Sequence, residues 1–241
     1  MNKFDEAFLN LVRKVNEDAL KVLDDSLTYI VARLSINEKL NVSWTYGPEQ
    51  NKAFAEFMDI YLHYLQEKVE EKFWYDAWGD MFMEMSGSFK SFRGQFFTPA
   101  AVSDLAAKIS RDTLPMMASG RPVVNDCACG SARMLLAAHK DAHDQGMAQP
   151  YLVGEDIDGI CCKMAAVNLA VHGCFGEIIR HDSIKEPGDF RYGYVINETL
   201  ASGFDFPSIR YSTERKDFYK MRETIEPVIP KEVEYIQPTL F

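Results

Sequence analysis

Acids close three successive apolar runs: Asp126 after Val123-Val124, Glu155-Asp156 after Tyr151-Leu152-Val153, and Asp182 shortly after Ile178-Ile179. Short runs of this kind read as β-strands, so the acids fall at strand carboxyl ends, where open α/β sheets hold their ligands. Like charges gathered at one sheet edge repel, so stability alone does not account for the set. An acid ending a second strand suits ribose hydroxyls (Asp156, or Glu155 beside it), Asp182 suits a purine amino group, and Asp126 suits an ammonium. Taken singly, each acid also fits a helix N-cap. Asp126 is followed by Cys127-Ala128-Cys129-Gly130-Ser131-Ala132, small residues that let a ligand approach the backbone before a helix start with unpaired N–H groups. An acid at that strand end repels phosphate and favours a ligand carrying an ammonium and hydroxyls.

The elements that must position these residues begin at about Gly87. Thr98-Pro99 is a helix start, a hydroxyl cap with proline in the first turn, for a helix from Ala100 to Leu114 that Pro115 stops. Strands are expected at 123–126, 151–155, 177–180 and 192–197, with helices near 131–145 and 159–172. Repeated βα units of this length imply a mainly parallel sheet with right-handed crossovers. Residues 1–90 carry helical periodicity instead. Phe4, Phe8, Leu11, Val12 and Val15 lead it, and Phe54, Phe57, Met58, Tyr61, Leu65 and Val69 mark a long helix over 51–73. These aromatic and Met stripes read as core between helices.

The 241 residues, 47% apolar and 26% charged, describe a chain able to bury a proper core. No apolar run approaches a membrane span, and the acidic start Asp5-Glu6 does not resemble a secretory signal. Five cysteines, with Cys161 and Cys162 adjacent, read as reduced thiols of a cytoplasmic protein. Cys127-x-Cys129 has no second Cys/His pair at ligand spacing, so no metal is expected. The formal net charge of −10 counts against this chain gripping duplex DNA unaided, although Lys90, Arg93 and Arg111 are candidates for a local basic patch.

Four segments together resemble a known family. They are Asp76-Ala77-Trp78-Gly79-Asp80-Met81-Phe82-Met83-Glu84, Gly94-Gln95-Phe96-Phe97-Thr98-Pro99, Asn125 through Ala132, and Gly154-Glu155-Asp156-Ile157-Asp158. With Asn168-Leu169 and His172-Gly173 they are similar to the N6-adenine DNA methyltransferases, nearest the modification subunits of type I restriction systems. The resemblance implies a Rossmann-like α/β sheet of the S-adenosylmethionine-dependent methyltransferases, preceded by an all-helical domain. The division it suggests is a helical domain over 1–90, a methyltransferase-like domain over 91–200 and a short extension over 201–241. It implies S-adenosylmethionine as cofactor. Phe97 and Thr98 would lie on its methionine side, Asp126 would take its ammonium, and Ala128 and Gly130 would form the floor. Asp156 would accept from the ribose hydroxyls, Ile157 would pack on adenine, and Asp182 would accept from the adenine amino group.

The sequence departs from the family where strand 4 ends. An Asn-Pro-Pro-aromatic motif would there clamp a flipped base, but this chain reads Asn197-Glu198-Thr199-Leu200 and contains no Pro-Pro. Asn197 is the remaining candidate catalytic residue. Two functions follow as expectations: methyl transfer to adenine in DNA, with a partner specificity subunit reading the site, or a catalytically inactive binding subunit working with a partner chain. Two further features belong to the end of the chain. Glu214 to Glu223 reads as an exposed charged helix, and Gln237, Leu240 and Phe241 resemble a sliding-clamp docking peptide, with a terminus packed on its own domain as the alternative.

Overall fold

The structure, a computed structural model, describes residues 2–36, 45–86, 97–185, 189–200 and 206–219. Gly94-Gln95-Phe96, Lys90, Arg93 and the tail residues Gln237, Leu240 and Phe241 lie outside them. The helical segment comprises α1 (Lys3–Val15), α2 (Ala19–Arg33), α3 (Pro48–Lys72) and α4 (Ala77–Ser86). Local chemistry sets the ends. Asn2 and Asp5 form a reciprocal capping box at the start of α1, Asn16 closes it in the left-handed region, and Asp18 caps α2. Pro48 opens α3 at a position that needs no N–H donor. The apolar stripes converge as expected, with the Phe4 ring centroid 5.4 Å from Phe57 and 5.2 Å from the edge-on Trp78.

After α5 (Ala100–Ser110) come β1 (Val123–Asp126), α6 (Arg133–Asp144), β2 (Tyr151–Asp156), α7 (Gly159–Val171), β3 (Phe175–Arg180), β4 (Tyr192–Ile196) and β5 (Ile209–Ser212). They build a five-stranded sheet in the order β1-β2-β3-β4-β5. β1, β2 and β3 are parallel, as the βα repeats require. β4 is not: it runs antiparallel to β3, and β5 antiparallel to β4. Among the described residues between β3 and β4, 181–185 and 189–191, no helix carries the chain across the sheet, and β4 lies antiparallel directly beside β3.

α7 is apolar on nearly every side and fully sandwiched, with Cys161, Cys162, Met164 and Ala165–Ala170 buried between the sheet and α2. One apolar core runs from Phe4 through Trp78 to Leu152, Ile178 and Ile209. The described residues of the helical segment and of the sheet therefore share a core. The opposite sheet face is covered by a smaller cluster of Val123, Val153, Ile179, Val195 and Phe218. Phe218 arrives there from a 3-10 turn at Arg215–Asp217, within the stretch 214–223 where a charged helix is expected from sequence; residues 220–223 lie outside the described residues. Among the described residues no helix is long and apolar enough to cross a membrane, and no cluster of His, Cys, Asp and Glu could hold a metal ion.

Candidate cofactor site

Register puts the three acids at one edge. Asp126 pairs with Gly154 and Asp156 with Arg180, and Asp182 lies two residues beyond the end of β3. The loop after β1 is tied to both neighbours. Cys129 N–H donates to the Glu155 carbonyl at 2.9 Å, Gly130 N–H to the Asp156 carboxylate at 2.9 Å, and the Ser183 hydroxyl to the Cys127 carbonyl at 2.6 Å. Gly130 holds φ +53°, and a Cβ there would stand 2.9 Å from the Phe97 ring. A side chain is therefore excluded twice over, by backbone conformation and by the ring beneath. Phe97 itself stacks on Phe82 with centroids 5.2 Å apart.

Electrostatics at this edge favour a cation. Burial raises the Asp126 carboxyl above the ordinary aspartate range, and repulsion from Asp156 and Glu155 adds to it, while the Ala128 N–H opposes the shift. Asp156 is raised in the same direction by burial, against backbone hydrogen bonds from Asp158 and Gly130. A ligand ammonium would relieve both groups. Asp182 is lowered by its contact with Lys185, whose Nζ lies 3.0 Å away. Of the two candidate acids ending β2, Glu155 turns to the other face of the sheet, 2% exposed and 3.2 Å from His181 Nε2. That leaves Asp156 as the β2 acid facing the loop.

Thr98, Asp126 and Ala128 line one cavity of about 800 Å³ with Val102 and Met134. Ile157, 53% exposed, lines a separate cavity of about 650 Å³ together with Lys21, Lys163 and Arg180. Phe97, Gly130, Asp156 and Asp182 line neither of these two cavities, so the predicted residues share one sheet edge without sharing one hollow. Asn197 does not join them. Because β4 is antiparallel, Ile196 pairs with Gly176 at the start of β3, and Asn197 lies at the opposite sheet edge from Asp126 and Asp156. It is fully buried. Its Nδ2 donates to the carbonyls of Ala170 and Cys174 at 3.0 and 2.8 Å, and its Oδ1 accepts from Ser208 N–H at 2.8 Å. This carboxamide staples α7, β3 and β5 together and cannot reach a substrate at the acid-lined edge. The suggested basic patch also loses a member, since Arg111 is held by both oxygens of Asp141 at 2.6 Å.

Residue chemistry alone passes over a buried polar network behind the loop. Asp76, Ser131, Arg133 and Asn168 are all buried and bonded to one another. His172 closes the same region as a neutral ring: Nδ1 lies 2.7 Å from the Asn168 carbonyl and Nε2 accepts from Tyr75 N–H at 3.2 Å. Burial lowers its pKa. The signal for these residues lay in the spacing of the lead-in segment and of the Asn168 to Gly173 helix end.

The chain is similar to several known proteins. The family model described as N-6 DNA Methylase matches residues 75–219, more than half of the chain. The methylase subunit of the type I restriction enzyme MjaVII from Methanocaldococcus jannaschii is 31% identical over 126 residues. That match covers 48% of this chain and 20% of the subunit, so the chain spans about a fifth of the length of this curated relative. A crystal structure described as a class I S-adenosylmethionine-dependent methyltransferase from Listeria monocytogenes shares 14% identity, with a TM-score of 0.48 over 86% of this chain and 64% of that one. The matched span runs from the segment just before α4, through the loop after β1, to the turn that follows β5, and on that match the chain belongs to the N-6 DNA methylase family.

Proposed function

We propose that this chain binds S-adenosylmethionine across the carboxyl ends of β1, β2 and β3, and that it serves adenine-N6 methylation of DNA together with a partner chain rather than alone. One observation carries the reading: the residues suited to the cofactor gather at one sheet edge, while Asn197 is spent on the fold at the other. The cofactor, when bound, supplies a sulfonium methyl group. The residues present fit it. Asp126 is placed for the methionine ammonium, Gly130 and Ala128 form a floor that side chains do not obstruct, and Phe97 and Thr98 flank the methionine side. Asp156 accepts from ribose hydroxyls, Ile157 packs on adenine, and Asp182 accepts from the purine amino group.

Transfer to an exocyclic amine needs the acceptor oriented and its nitrogen polarised, each worth orders of magnitude in rate. This chain carries no Pro-Pro, and a net charge of −10 gives it little to attract phosphate. A specificity subunit that reads DNA, of the kind type I restriction enzymes use, supplies the grip on DNA, and a partner chain completes the clamp on the acceptor base. The competing reading, transfer by this chain alone, draws support from family membership and from the similarity to a type I methylase subunit. The test runs calorimetric titration with S-adenosylmethionine beside incorporation of labelled methyl groups into adenine-rich DNA. The expected result is saturable binding without incorporation. N6-methyladenine formed by the chain alone would overturn the partner requirement, and absence of binding would overturn the cofactor site.

A further inference from the structure

Asp76 precedes α4 and is 2% exposed, yet its carboxylate receives four hydrogen bonds. Oδ1 accepts from Gly79 N–H at 2.7 Å and from Asn168 Nδ2 at 2.8 Å. Oδ2 accepts from the Ser131 hydroxyl at 2.5 Å and from Arg133 Nε at 2.6 Å. The partners lead straight to the two cofactor-facing loops. Ser131 follows Gly130 in the chain, and its carbonyl accepts a second bond from Asn168 Nδ2 at 2.8 Å. Arg133 reaches the Thr98 carbonyl at 3.5 Å, and its guanidinium carbon lies 5.9 Å from the Phe97 ring centroid. Space around the carboxylate is closed, since a Cβ on Gly79 would stand 1.9 Å from Asp76 Oδ2.

We propose that Asp76 is the positioning residue of the cofactor site. The buried Asp76 carboxylate, with Asp80 on the far side of the Arg133 guanidinium at 2.5 Å, holds the 97–98 segment through Arg133 and the 128–131 loop through Ser131 in a common frame. The inference rests on the proposed S-adenosylmethionine reading and adds to it a residue that does not touch the ligand. A carboxylate suits this point because the four partners approach it as donors. An amide of the same shape offers one acceptor oxygen and turns two N–H donors toward groups that are themselves donating.

The test is calorimetric titration of the full chain with S-adenosylmethionine, comparing wild type, Asp76→Asn, Ser131→Ala and the double variant, with melting curves confirming that each is folded. Asp76→Asn is expected to raise Kd roughly tenfold or more, the scale of one lost charge-assisted hydrogen bond, and Ser131→Ala severalfold. The double variant is expected to bind no more weakly than Asp76→Asn alone, because both changes cut one connection. A purely structural role predicts lower melting temperatures with wild-type Kd in the folded molecules, and that result overturns the proposal. So does a double variant in which the two losses simply add. Should Asp76→Asn not fold, Ser131→Ala decides on its own: an unchanged Kd overturns the proposal. A wild-type chain that fails to bind overturns the cofactor reading itself, a result distinct from all of these.

Discussion

Asp126 shows how burial and neighbouring acids set the charge of a single carboxyl. Its carboxyl is raised because burial and two neighbouring acids disfavour its charge. In the free protein that charge costs stability. The contribution of Asp126 is fully present below the ordinary aspartate pKa and is lost as pH rises through its higher folded value. A bound ammonium offsets this cost only while Asp126 is ionised. Affinity for S-adenosylmethionine should therefore fall on acidification, beginning above the pH at which an ordinary aspartate titrates. Titrations across the acid range should show that slope for wild type and a flatter, weaker profile for Asp126→Asn. A wild-type affinity independent of pH would remove Asp126 from the ammonium role. The positions of Asp126, Asp156 and Gly130 at one sheet edge were legible from the sequence because strand ends and small-residue turns leave local marks. Asp76 was not legible as a hub, since its partners Ser131, Arg133 and Asn168 lie far along the chain and meet only through packing.

At the scale of elements, the parallel part of the sheet could be read from alternating strand and helix patterns, and β4 could not be oriented that way. The pattern marks residues 192–197 as a strand, but direction depends on what precedes it, and among the described residues 181–185 and 189–191 there is no helical crossover. Reversing β4 carries Asn197 to the opposite edge, so a motif position that matched by sequence order failed by topology. The structure gives Asn197 a different task, which predicts a stability effect. Asn197→Ala removes three buried hydrogen bonds and places alanine at φ +57°, a region that asparagine tolerates better. A loss of about 3 kcal/mol in unfolding free energy is expected by denaturant titration. Binding of S-adenosylmethionine by the folded variant should be unchanged. A stable variant with impaired binding would return Asn197 to the site. β5 escaped notice because its four residues, Ile209–Ser212, are short and carry no strong alternation.

At the scale of the molecule, the helical segment is more than an appendage to the sheet. Its helices share one core with the sheet through α2 and α7, and the Asp76 network extends that union to the loop after β1. The pattern of apolar residues foretold both parts, though not their fusion. Packing between distant segments leaves no periodic trace in either. The central claim is that a sulfonium nucleoside lies over Gly130, between Asp126 and Asp156, with no contribution from Asn197. A crystal structure of the chain saturated with S-adenosylmethionine tests it most directly. The account predicts ligand density across the loop after β1, with the amino-acid end at Asp126 and the ribose at Asp156. Ligand density on another surface, or beside Asn197, would contradict it.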